Sequence, residues 1–138
     1  MRWPLASFVF LACVGCATQP IPAEQANPVP AERIIKSELT VRRAQASEVR
    51  FMRDTGFLGG GLSARIYLNK EPIADVDAGE TLSIWLDPGI YVLGMLQKPN
   101  LFGYEVPREI EVEIKSGRRF NVRVGFSEEG PVFLPLTY

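Results

Sequence analysis

A chain of 138 residues is long enough for one domain with a sizeable core and no more. With 46% hydrophobic residues, 22% charged residues and a formal net charge of −1, it has no basic excess of the kind that nucleic-acid binding requires. It contains no histidine, which excludes Ser-His and Cys-His catalysis and removes the commonest metal ligand.

The N-terminus reads as an export signal. Arg2 is a minimal basic n-region, and Trp3 to Val14 is an apolar run of h-region length. That run is shorter than the roughly 20 residues a bilayer span requires. Both cysteines follow in FLACVGCATQP, residues 10–20. Val14-Gly15-Cys16 resembles the end of a bacterial lipobox, although Cys13 stands where leucine is usual. Phe10-Leu11-Ala12-Cys13 is the weaker second match, and an ordinary cleaved signal is a third reading. The resemblance implies that Cys16 becomes the acylated N-terminus and that Cys13 leaves with residues 1–15. Ala17 and Thr18, with no aspartate after the cysteine, point by analogy with enterobacterial sorting to the outer membrane, facing the periplasm. A redox or zinc role for the pair lacks the βαβ context or the further ligands it would need.

Residues 16–31 hold Pro20, Pro22, Pro28 and Pro30 and are expected as an extended tether reaching up to roughly 45 Å at polyproline II spacing. The domain is expected over 32–138. It opens with a short helix in 32–39, followed by strands near 40–44, 48–53, 63–68, 72–76, 81–86, 90–96, 108–115, 119–125 and 131–135. Alternation is clear in Ala64, Ile66 and Leu68 and in Leu82, Ile84 and Leu86. Asn69-Lys70 and Asp77-Ala78-Gly79-Glu80 read as turns, and Asp87-Pro88-Gly89 as a type II turn. In residues 109–124, Ile110, Val112 and Ile114 alternate with glutamates, and Phe120, Val122 and Val124 with polar residues. Pairing apolar with apolar predicts a hairpin about Ser116-Gly117-Arg118. It sets Ile114 opposite Phe120, Val112 opposite Val122, and Glu111 beside Arg123.

Strands at this spacing predict an all-β fold, a small antiparallel sandwich of the immunoglobulin or transthyretin type, with a small open barrel as the alternative. Transmembrane barrel strands would have to be longer.

Chemistry-bearing motifs are sparse. Gly59-Gly60-Gly61 lacks the Lys-Ser/Thr and the helix of a P-loop. Asp54, Asp75, Asp77 and Glu80 do not match an EF-hand loop. Phe57 and Leu58 in one loop and Leu101, Phe102 and Tyr104 in another are candidate partner-binding residues. The segments R-D-x-G-F-x-G (Arg53, Asp54, Gly56, Phe57, Gly59), IYLNKEPIADVDAGE and LDPGIYVL, within about residues 48–96, resemble small bacterial outer-membrane lipoproteins with a β-sandwich domain of unknown function. The resemblance implies envelope location and fold and supplies no catalytic residues. The expectation is a non-enzymatic binding or structural module, without cofactor or metal, attached to the membrane by its lipid and meeting an envelope protein. The alternatives are a carboxylate-dependent cell-wall hydrolase drawing on Asp54, Asp75, Asp77, Glu80 and Glu105, and a periplasmic inhibitor.

Overall fold

The computed structural model describes residues 21–56, 60–101, 103, 106–127 and 129–136. The signal, Cys13 and Cys16, and Phe57, Leu58, Phe102, Tyr104 and Glu105 among the expected site residues lie outside them. Nine strands form: β1 (Asn27–Pro28), β2 (Ser47–Arg53), β3 (Ser63–Leu68), β4 (Glu71–Val76), β5 (Glu80–Leu86), β6 (Gly89–Lys98), β7 (Arg108–Ile114), β8 (Phe120–Ser127) and β9 (Gly130–Leu136). They make two sheets, ordered β1-β5-β2-β8-β9 and β4-β3-β6-β7. The fold is the expected all-β sandwich and not a closed barrel.

The alternating residues explain the two layers, because side chains of period two turn one apolar face inward. Val49, Phe51, Leu82, Ile84, Val122 and Val124 from the first sheet meet Ala64, Ile66, Val76, Leu93 and Met95 from the second, all buried in one core. Burying each of the larger of these contributes roughly 1.5–3 kcal/mol. The β3–β4 turn is closed by Asn69 and Lys70, at φ 48° and 70°, the left-handed pair that a two-residue hairpin demands. Asn69 is held there by two bonds to Val92, its N–H donating to the carbonyl (2.8 Å) and its Oδ1 accepting from the N–H (2.9 Å). Gly79, at φ 82°, makes the β4–β5 turn in a conformation that a side chain would strain.

Several expectations are corrected. Strands β7 and β8 do not form a hairpin. β7 pairs with β6, while β8 lies in the other sheet, parallel to β2 and antiparallel to β9. Ile114 and Phe120 do share the core, but from facing layers. Glu111 therefore pairs with Val92 in register, and Arg123 bonds Asp54 instead. Gly89 does not take positive φ and begins β6 opposite Ile114, so the type II turn is absent. The strand expected at 40–44 is missing, and the helix expected in 32–39 is replaced by 3-10 turns at Ala31–Arg33 and Ser37–Thr40.

The largest correction concerns the tether. From Ile21 onward the chain lies on the sandwich. Asn27 and Val29 donate to the carbonyls of Gly79 and Thr81 (3.0 and 3.1 Å), and Val29 is 7% exposed in the core. Ile34 bridges to Ala74, and the N–H groups of Ile35 and Lys36 both donate to the Ile73 carbonyl. This strap crosses from the edge of β5 to the edge of β4, so the folded unit begins before residue 32. Pro22 and Pro30 lead into 3-10 turns at Ala23–Gln25 and Ala31–Arg33, and Val29 and Ile34 pack the segment against the core.

Candidate functional site

Strand direction alternates throughout, so the connections gather at two ends. One end, the loop end, collects the segments 54–62, 77–79, 99–107 and 128–129. The other, the far end, collects 41–46, 69–70, 87–88 and 115–119.

Of the five residues expected to bind a partner, Leu101 alone is described, and it is 67% exposed. Val106 in the same connection is 74% exposed. Nearby, Gly125, Ser127, Val132 and Leu134 on the outer face of β8 and β9 line a recess of about 330 Å3 bounded by Asp54 and Arg123. Beneath these loops the buried Gln97 amide has no partner for its Nε2 among the described residues. Arg53, 2% exposed, gives an N–H to the Val76 carbonyl (2.7 Å) and lies 4.9 Å from the Phe126 ring centroid. Burial pulls its pKa down to about 10, which leaves it charged at neutral pH.

The described acids proposed for hydrolysis are each bound to a base. Asp54 bonds Arg123. Asp75 accepts from Arg65 Nε and Nη2 (2.7 and 2.9 Å) and from Lys98 (3.0 Å). Asp77 and Glu80 flank a single guanidinium, that of Arg33 in the strap. Burial pushes the Asp75 carboxyl up, but the bonds from Arg65 and Lys98 outweigh it and hold the group below its ordinary range. A general acid needs the opposite displacement. Among the described residues no group of three or more Cys, Asp or Glu is placed to hold a metal ion.

The far end was not anticipated. Its four segments carry six Lys and Arg against one acid, Asp87, whereas the described residues of the loop end carry three acids, Asp54, Asp77 and Glu129, and no base. Glu48 of β2 organises this region. It accepts from Ser83 (2.7 Å), Arg50 (2.8 and 3.0 Å) and Arg119 (2.6 Å). Burial raises its pKa, and these donors more than offset that, leaving it lowered overall. Beside it a recess of about 380 Å3 is walled by Arg42, Trp85, Arg118 and Arg119. The Arg42 guanidinium lies 5.3 Å from the Trp85 ring centroid. A net charge near zero concealed this polarity. Summing charge over alternate loops, which up-and-down strands place at one end, would have exposed it.

No protein-family model matches the chain, and no curated protein matches it by sequence.

Proposed function

We propose that the protein is a lipid-anchored, non-enzymatic binding module of the bacterial envelope, attached through Cys16 and meeting a partner protein at its loop end. The observation that carries the binding role is the exposure of Leu101 and Val106 in the connection between β6 and β7, since apolar side chains presented on a loop are suited to anchoring a partner. The engagement of Asp54, Asp75, Asp77 and Glu80 with arginines supports the non-enzymatic reading over the hydrolytic one. The anchor rests on the lipobox resemblance of Val14-Gly15-Cys16 and on the outer-membrane sorting it implies.

The docked strap changes the geometry such an anchor would have. The Ile21 N–H donates to Asp54 Oδ1 (3.3 Å) at the loop end. Five residue steps from Cys16 to Ile21 reach at most about 18 Å, well short of the span first expected. The loop end would then sit near the membrane, and a partner at that end would be membrane-proximal.

Intact mass and membrane fractionation of the wild type beside Cys16→Ser and Cys13→Ser test the anchor. The expected result is acyl mass lost with Cys16→Ser alone. A soluble, unacylated wild type would overturn it. Chemical crosslinking of the wild type in the envelope, beside Leu101→Asp, tests the binding role. A partner captured by the wild type and lost in the variant supports the role, and an unchanged crosslinking pattern opposes it.

A further inference from the structure

We propose that the far end is a docking surface for an anionic glycan, with Arg42 and Arg118 as its principal contacts. Two features together set these cations apart. Four other arginines are engaged by carboxylates: Arg33 by Asp77 and Glu80, Arg65 by Asp75, Arg123 by Asp54, Arg50 by Glu48, and the exposed Arg108 stands at the start of β7, at the opposite end. Arg42 and Arg118 have no ion pair among the described residues, and both are exposed. Arg42 is nonetheless positioned, because its guanidinium lies against the Trp85 ring, an attraction that orients a cation without neutralising it. Arg119 is oriented by Glu48 and still keeps half its side chain in solvent (52%).

The recess between these side chains has the size and lining for one sugar unit. Its wall includes Trp85, Ser116 and Gln45 beside the arginines, while the buried Ser47 spends its hydroxyl on the Lys115 carbonyl (2.8 Å). Guanidinium forks bind carboxylate and phosphate oxygens bidentately. An aromatic ring with hydroxyl and amide partners complements the rest of a sugar ring. Of the other cations at this end, Arg43 pairs with Asp87 and Lys115 with Glu113, and the exposed Lys70 extends the positive field beyond the recess. The surface stands on the folded domain alone. Only its outward direction rests on the proposed anchor: the chain enters at the loop end, so a seven-residue strand sets the basic end about 23 Å further away.

The test uses the full-length chain and four probes: an oligogalacturonate for sugar carboxylates, a phosphorylated mannan oligosaccharide for sugar phosphates, vesicles with anionic phospholipid, and polyglutamate. Binding is read by calorimetry and, for vesicles, by sedimentation. The proposal expects one of the two glycans to bind, with affinity falling as salt rises. Arg42→Glu and Arg118→Glu should each weaken that binding about tenfold or more, while circular dichroism and the thermal midpoint stay unchanged. Preference between the two glycans identifies the oxyanion. Equal or tighter binding to vesicles or polyglutamate would overturn the glycan assignment. Absence of binding to all four probes by the folded wild type would overturn the site itself. Acyl mass is measured on the same preparation, so a failed anchor and a failed glycan site appear as separate results.

Discussion

Each long side of the sandwich ends in two strand edges, and the two sides treat theirs differently. On one side β5 and β4 are covered by the chain's own residues 27–36, which give β5 a short parallel neighbour and cap the Ile73 carbonyl on β4. On the other side β9 and β7 have no further strand beside them among the described residues. The two-residue turn makes Ser127 and Gly130 the first pair of the β8–β9 ladder, so residues 131, 133 and 135 turn their backbone groups away from β8. Two of those three are proline and have no N–H to offer an incoming strand. β7 instead bears Glu109, Glu111 and Glu113, all exposed, a row of like charge that discourages a second copy. One side is closed by added chain and the other by the choice of residues. The first method contributes to stability, while the second mainly governs association.

Damage to the strap should therefore have the largest effect. Val29→Asp places an unpaired carboxylate among core side chains and is expected to cost about 3 kcal/mol or more, read as a lower midpoint in urea. Arg33→Met comes next, because it leaves Asp77 and Glu80 facing each other without their guanidinium. Allowing for partial solvent exposure, the loss is about 1–2 kcal/mol. Pro131→Val with Pro135→Val is read by assembly and not by the denaturation midpoint. Stability should move by no more than about 0.5 kcal/mol, yet light scattering should show more association than in the wild type. A double variant no more associated than the wild type would mean that the prolines do not guard the edge.

Acid should test the covered side without mutation. Asp75, beside the strap, has a folded pKa below its unfolded one. Its contribution is therefore present above about pH 4 and is lost as pH falls through the folded value. Below pH 4 the covered side should loosen, seen as faster amide exchange in residues 27–36. Glu48 is lowered likewise and adds to the loss from the centre of the first sheet.

What the sequence made legible was the face each residue would occupy. Leu82, Ile84 and Leu86 alternate inward as expected, because burial follows period two wherever one face of a sheet is dry. Partnership was not legible in the same way. Ile114 and Phe120 satisfy an apolar match either as hairpin neighbours or across two layers, and nothing in their alternation separates the two. The strap was missed because its prolines resemble a solvated spacer, while one valine and two isoleucines decide its docking. Of the expected partner residues, Leu101 is exposed as its loop position suggested. The basic end escaped notice because its six cations come from three separated segments, and only topology assembles them.

The parallel pairing of β2 with β8 also bears on when the domain can form. The central strand of the larger sheet finds one neighbour in β5 and the other only in β8, where Val49 meets Phe120. Such distant pairings are slow to close, because the intervening loop must be ordered before contact repays it. A ribosome or translocation pore that has released the first hundred residues holds a chain whose β2 is still bare along one edge. No early fragment can finish the fold and stall in transit. The domain becomes a domain only when nearly all of it has arrived.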